Sequence, residues 1–522
     1  MKRLRILLLL CVVALFAARA AEIAGRIVDA QTGDPIARGH VAIHIAAAGG
    51  PSADLAISSD ASGGFNVGNL PGGSCQVSGE KPGYLASTLP VVLSADPKPV
   101  PVVLRLTRQA VIAGLVVDEN GVGVPLAFVQ MLRSVVVNGA RQIQPVNGTQ
   151  TDETGEFRIF GLTPGRYYVG ANASGRRARN SIKLAYAPIL HPGVTDINAA
   201  QLIDLQPGRE ESITIRLPSV PAHVVRGQVV PAGGFLPSLL LRPQEPDRFP
   251  MPLNTQSDWD QKTGTFRISG VPAGAYTLES VTQLDGRQRR AMKTVVVGDT
   301  DVEGILLEPG ILPQITGRVT LEGYAAPRGV VSSIMLQAAR NNPGTQIEED
   351  GSFRFSDLSP DSYRIVVVPT GSFYVRSIRQ GGRNVRDEGL VIGELPPDPI
   401  EIDLGSHGAT IEGAIAVPAS DPPTRVVIAL FRRVNERVLL EKQAYVSATV
   451  LSTPPTGGVG RFMMQGVAPG EYVLFAWAAD AQIEYAEPGF LRQFDRLGTS
   501  VHVTEDAKLD VAIEQLLPRV QR

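Results

Sequence analysis

Apolar and polar residues alternate along this chain with a period of two, in short runs broken by Gly, Pro, Asp and Asn, and the arrangement returns five times. Such alternation marks strands with one buried and one wet face. Each repeat opens on an apolar strand with glycine at a fixed place: Ile23-Ala-Gly25-Arg-Ile-Val28, Ile112-Ala-Gly114-Leu-Val-Val117, Val225-Arg-Gly227-Gln-Val-Val230, Ile315-Thr-Gly317-Arg-Val319 and Ile411-Glu-Gly413-Ala-Ile415. The glycines are 89, 113, 90 and 96 residues apart.

Further along each repeat a turn runs into phenylalanine, at Phe65, Phe157, Phe266, Phe353 and Phe462. Ten residues beyond each one stand Cys75, Tyr167, Tyr276, Tyr363 and Tyr472. Between them lie second turns such as Leu70-Pro-Gly-Gly and Leu162-Thr-Pro-Gly. This spacing predicts a meander of Phe strand, Pro/Gly turn and Tyr strand. Each repeat closes on a further pair of alternating runs, for example Leu202–Leu205 with Ile213–Leu217, and Ser500–Val503 with Leu509–Ile513. Helical periodicity of useful length is absent beyond the N-terminal segment. The expected fold is all-β: five tandem immunoglobulin-like or transthyretin-like β-sandwich domains, at residues 21–107, 108–218, 219–309, 310–405 and 406–522.

The openings Gly25-Arg-Ile-Val-Asp-Ala-Gln-Thr-Gly-Asp-Pro-Ile36 and Gly114-Leu-Val-Val-Asp-Glu-Asn-Gly-Val-Gly-Val-Pro125, followed by Gly-x-Phe and Leu-x-Pro-Gly-x-Tyr, resemble the carboxypeptidase regulatory-like domain. The resemblance extends over nearly all of the chain beyond its first 20 residues and departs most in the fourth repeat, where Asp361 replaces the turn glycine. It implies a transthyretin-like, carbohydrate-binding-like fold used as an accessory module on exported bacterial proteins. It also implies a binding or scaffolding role without catalytic residues.

Composition narrows the picture. Glycine and proline make up 94 of the 522 residues, which suits many turns. Residues 1–20 carry a basic start (Lys2, Arg3, Arg5), an apolar run from Ile6 to Phe16 and the small-residue ending Ala18-Arg19-Ala20, the pattern of a cleavable secretory signal. Arg19 cuts the run short of the roughly 20 apolar residues that a membrane span needs. Cys11 lies mid-run, which disfavours lipid attachment after cleavage. Cleavage lowers the basic count from 49 to 45 against 51 acidic residues, a net charge of −6, so no nucleic-acid partner is implied. Cys75 then remains alone, without a disulfide partner. The short clusters Arg176-Arg177-Arg179 and Arg287-Arg289-Arg290 read as solvated loops.

Candidate chemistry is sparse. No His-Glu-x-x-His or Gly-x-Ser-x-Gly motif occurs. On a strand, His40 and His44 would stand about 13 Å apart, too far for one metal ion. Cys75 takes a tyrosine station on the core side, where cysteine acts as a small hydrophobe. Asp60, Asp152, Asp258, Asp260 and Asp350 precede the Phe strands, and only Asp258-x-Asp260 offers two carboxylates for calcium; turn formation is the favoured role. No cofactor, metal or catalytic residue is expected.

One departure from the repeat remains. The outward positions of the Tyr strand are polar in the first repeat (Gln76, Ser78, Glu80) and the third (Thr277, Glu279). In the fifth they are Val473, Phe475 and Trp477, and in the fourth Val366 and Val368. Either the excursion Ala481–Leu497, or packing between the fourth and fifth repeats, covers them, or Trp477 and Tyr485 form an aromatic platform for a sugar or a partner protein. Internal burial is favoured because the excursion is adjacent and apolar-rich. Arg376, Arg379 and Arg383 around Gly381-Gly382 offer an anion site, with loop solvation as the default reading. The expected function is non-catalytic binding of polysaccharide or another envelope polymer, with a structural scaffold for envelope proteins as the alternative, in the periplasm or outside the cell.

Overall fold

A computed structural model of the chain describes residues 21–46, 53–93, 98–173, 184–230, 238–245, 250–253, 255–284, 287–338, 342–393, 397–416, 425–434, 437–447, 459–487 and 489–519. The signal segment, Cys11 and Arg176-Arg177-Arg179 lie outside these residues. The described chain is built from strands, with 3-10 turns at Ile197–Ala199 and Phe490–Leu497. Four clusters of buried apolar side chains lie within residues 21–106, 225–307, 315–404 and 409–513. Between the first two, Ile112, Val129, Met131, Phe157, Tyr167 and Ile215 are buried in the same pattern. The chain separates into two compact units: residues 1–133, 145–173 and 186–219, and residues 134–144, 174–185 and 220–522.

Every repeat forms two facing sheets. In one, the opening strand lies between the Phe strand and the closing strand. In the first repeat these are Ala21–Asp29, Gly64–Leu70 and Val100–Leu106. The Phe strand runs antiparallel to the opening strand and the closing strand parallel to it. The other sheet carries the Tyr strand, Gly73–Glu80 in the first repeat, between His40–Ala46 and Ser87–Leu93. This corrects the expected meander: the Phe and Tyr strands belong to opposite sheets, and the Pro/Gly turn between them crosses the core. The terminal pairs divide in the same way. Ile203–Leu205 joins the Tyr strand, and Glu210–Arg216 runs parallel to the opening strand. Thr499–Val503 and Lys508–Ile513 repeat the arrangement. A period of two specifies which side of a strand is buried, whichever sheet the strand joins.

The recurrence of Gly and Phe in every repeat has a steric cause. In all five repeats the opening-strand glycine stands directly opposite the phenylalanine: Gly25 with Phe65, Gly114 with Phe157, Gly227 with Phe266, Gly317 with Phe353 and Gly413 with Phe462. The ring lies across the glycine. A Cβ at Gly25 or Gly317 would approach the phenylalanine Cζ to 2.2 Å, and at Gly413 it would meet Val511 O at 2.0 Å. The tyrosines close the crossover turn. Tyr167, Tyr276, Tyr363 and Tyr472 each donate a hydroxyl hydrogen bond to the carbonyl four residues earlier, on Thr163 (2.6 Å), Pro272 (2.9 Å), Ser359 (2.9 Å) and Ala468 (2.8 Å). Burial pushes the Tyr276 hydroxyl up to about 12 and Tyr472 higher still. Cys75 is buried at the same station, and burial raises its thiol.

Acidic residues just past the opening strands hold the start of the following repeat. Buried Asp29 accepts from Arg108 Nε at 2.7 Å, Glu119 from Ser219 N at 3.2 Å and Oγ at 3.1 Å, and Glu322 from Ser406. Arg108, Ser219 and Ser406 are therefore anchored within their own compact units.

Candidate functional site

The outward face of the fifth Tyr strand, Gly470–Ala478, is covered. Val473, Phe475 and Trp477 pack with Val427, Ala429 and Phe431 of the neighbouring strand into a second apolar cluster, sealed by Ile483, Phe490, Leu491 and Leu517. Trp477 is 4% exposed. Its ring lies 6.1 Å from Tyr485 and 6.5 Å from Phe431, which is 5.5 Å from Tyr485. The excursion thus folds back onto the strand because five large apolar side chains would otherwise face water. This corrects the platform reading of Trp477 and Tyr485: a buried indole presents no face to a sugar, and Tyr485 is half-buried.

The excursion has a second partner within the same compact unit, the hairpin tip 134–144. Val136 N donates to Gln482 Oε1 (2.8 Å), Ala486 N to Gly139 O (2.9 Å), and Arg141 pairs with Glu484 at 2.7 Å. Gly139, at φ +78°, lies under the Tyr485 ring. No signal within either segment announces this contact, which joins residues some 340 positions apart.

Beyond Tyr485 opens a cleft of about 460 Å³ between the fourth and fifth repeats. One wall is the outward face of the fourth Tyr strand, Asp361–Pro369, with Arg364, Val366 and Val368. The opposite wall is the strand Arg437–Ser447 with Met463 and Gln465 beside it. The apolar residues Val366 and Val368, anomalous in sequence, line this cleft, Val366 partly buried and Val368 exposed.

Four cations enter this cleft: Arg364, Arg386, Arg432 and Lys442. Two are neutralised. Arg386 pairs with Glu441 at 2.6 Å, and Arg432 pairs with Asp387 and, at 3.4 Å, with Glu441. Burial works against the Arg432 charge, but these two carboxylates outweigh it and hold the guanidinium above its ordinary value. Arg364 and Lys442 instead donate to the carbonyls of Leu440 and Gln465. Among the described residues neither meets a carboxylate within ion-pair distance. Removal from water lowers both below their ordinary values, although the charge of Glu441 partly opposes this.

A bulge produces this arrangement. In the hairpin of Arg425–Val434 and Arg437–Ser447, Leu430 pairs with Lys442 and Phe431 with Leu440, so Glu441 is an extra residue. A bulge re-aims the side chains next to it. Sequence reading missed all four cations. The only sequence hint is Arg364, which directly follows the core Tyr363 and therefore points outward; Arg386, Arg432 and Lys442 need the assembled fold.

The other sequence candidates resolve locally. Of the three arginines near Gly381-Gly382, Arg376 pairs with Asp403 at 3.4 Å and Arg383 with Glu388 at 3.1 Å, and Arg379 is exposed. Glu279 corrects its wet assignment: it is 7% exposed and paired with Arg290 at 2.5 Å. Arg290 also reaches Ser359, so it is not a solvated loop residue. The strand Arg287–Val297 pairs along its whole length with Gly274–Leu284, which brings Arg290 back over Glu279. The turn carboxylates are occupied by backbone donors: Asp60 accepts from Ser62 N and Gly64 N at 2.8 Å, Asp152 from Thr154 N at 2.8 Å and Asp260 from Lys262 N at 2.8 Å. His44 pairs with Asp54 across its strand. No group of three His, Cys, Asp or Glu side chains suited to a metal ion occurs among the described residues. Nor, among them, is any helix long and apolar enough to cross a membrane.

The profile of the carboxypeptidase regulatory-like domain matches residues 22–107 and 111–218, two tandem regions. Solved structures with some likeness include the minor pilin of Streptococcus agalactiae (15% identity, 38% of this chain and 97% of that one, TM-score 0.22). The shaft pilin of Lactobacillus rhamnosus GG is 11% identical over 39% of this chain and 97% of that one, with a TM-score of 0.20. The Bacillus anthracis TIE protein is 11% identical over 95% of this chain and 74% of that one, with a TM-score of 0.17. Superpositions at these scores do not establish a shared overall arrangement. No curated protein matches the chain.

Proposed function

We propose that this chain is an exported, non-catalytic scaffold: a series of β-sandwiches that spaces or docks envelope or secreted protein partners. The observation that carries the reading is how the fifth repeat uses its aromatic face. Phe431, Phe475 and Trp477 are spent on packing under residues of the 481–497 excursion, while the links before the second, third and fifth repeats are tied by Asp29, Glu119 and Glu322. Both features favour neighbouring repeats held together within each compact unit over independent binding modules. Polysaccharide recognition through Trp477 loses its support, because stacking on a sugar needs an accessible ring face.

The test is in-cell photo-crosslinking from exposed positions such as Phe160, Tyr324 and Val391 in the tagged full chain, after fractionation of the cell. Recovery of the chain outside the cytoplasm, with discrete crosslinked protein adducts, is the expected outcome. A chain retained in the cytoplasm, or one that gives no protein adduct from any of these positions, overturns the scaffold reading.

A further inference from the structure

Arg386 and Arg432, with Glu441 and Asp387, supply the ion pairs between the fourth and fifth repeats. Arg364 adds a hydrogen bond across to the Leu440 carbonyl without neutralising its charge. Arg364 and Lys442 add two charges at the cleft whose partners among the described residues are the carbonyls of Leu440 and Gln465 rather than carboxylates. A carbonyl leaves each of these charges unneutralised, so an anion entering the cleft would gain two charge-assisted contacts. Around them stand three primary amides, Gln337, Gln443 and Gln465, each able to donate and accept. Met463 and the edge of Tyr485 supply apolar surface on the fifth-repeat side. A volume of about 460 Å³ lies within the range of small-molecule sites.

We propose that this cleft binds a carboxylate-bearing sugar residue of an acidic polysaccharide, with the carboxylate held by Arg364 and Lys442 and the hydroxyls by the three glutamine amides. Charge and polarity argue for this ligand together. A bare inorganic anion would satisfy the two cations and leave the amides and the apolar wall unused. A neutral sugar would use the amides and leave the cations unmatched. A hydroxylated ring with one carboxylate uses both sets. The site is independent of the scaffold reading, since a scaffold without this ligand and a ligand site without protein partners are each physically complete.

Isothermal titration of the full chain from residue 21 with trigalacturonate, maltotriose and inorganic phosphate tests the proposal. Saturable binding of trigalacturonate, with weaker or no binding of the other two, is expected. Arg364→Gln and Lys442→Gln should each weaken it about tenfold, the scale of one charge-assisted contact. Met463→Trp, at a position 54% exposed on the cleft wall, should block binding without removing a charge. Arg383→Gln, in the exposed pair with Glu388, should leave it unchanged. Circular dichroism checks that each variant is folded. Absence of trigalacturonate binding overturns the proposal, as does binding that survives both the double Arg364→Gln/Lys442→Gln variant and Met463→Trp. Equal binding of phosphate at the same residues overturns the sugar assignment and leaves a general anion site.

Discussion

Asp29 shows how much a single buried charge does here. Its carboxylate is 1% exposed. Burial alone would disfavour the ionised form, but Arg108 Nε, the N–H groups of Gln31 and Thr32 and the Tyr84 hydroxyl hold it at about 2, against an ordinary value of 3.8. A lowered folded-state value means that the stabilisation is complete above about pH 5, where an unfolded aspartate is fully ionised, and is lost as pH falls through about 2. Urea unfolding of the full chain across pH 2 to 7 should therefore show an acid limb that flattens in Asp29→Asn, with a loss at pH 7 on the order of 2 kcal/mol. A limb of the same slope in the variant would show that Asp29 is not its source. Residue types also mislead at this scale. Glu279 looks like a wet strand residue and is a buried ion-pair partner, because Arg290 arrives from the adjoining strand.

At the scale of elements, the Gly–Phe pair is the joint on which each sandwich is assembled. The opening strand has the Phe strand on one side and the closing strand on the other, and the glycine lets the ring and a carbonyl approach together. A methyl at Gly317 would lie 2.2 Å from Phe353 Cζ and 2.6 Å from Ile400 O, distances that force the strands apart. Gly317→Ala should thus destabilise the fourth repeat by about 1 to 3 kcal/mol, the range for overpacking. Adding Phe353→Leu should recover part of that loss in a double-mutant cycle read by thermal unfolding. Full additivity of the two substitutions would refute the steric account. The recurring Gly and Phe were legible in the sequence, since the ten-residue interval from each Phe to Cys75, Tyr167, Tyr276, Tyr363 or Tyr472 sets the repeat in register. The sheet each strand joins was not, because a crossover turn and a hairpin turn draw on the same Pro and Gly residues.

At the scale of the second compact unit, the fourth and fifth repeats meet through charge. Arg432, 17% exposed, serves both Asp387 and Glu441 and so carries the network. Its removal strands the part-buried Asp387, while Glu441 keeps Arg386. Arg432→Met should cost about 3 kcal/mol, the scale for breaking a buried pair. Differential scanning calorimetry should then resolve separate unfolding of the two repeats, where the unaltered chain melts them together. One undivided transition in the variant would show that apolar contact alone couples them.

Sequence alone determined the all-β class, the five-fold repeat, the core side of each strand and the fixed stations of Gly, Phe and Tyr, because a period of two and local turn chemistry are written in neighbouring residues. The opening motifs and the Gly-x-Phe, Leu-x-Pro-Gly-x-Tyr pattern also carried the resemblance matched over 22–107 and 111–218. The burial of Trp477, the docking of 134–144 on the excursion and the gathering of Arg364, Arg386, Arg432 and Lys442 were decided only by tertiary structure. Each depends on surfaces from strands far apart in the chain, and on a bulge at Glu441 that turns side chains out of their regular alternation.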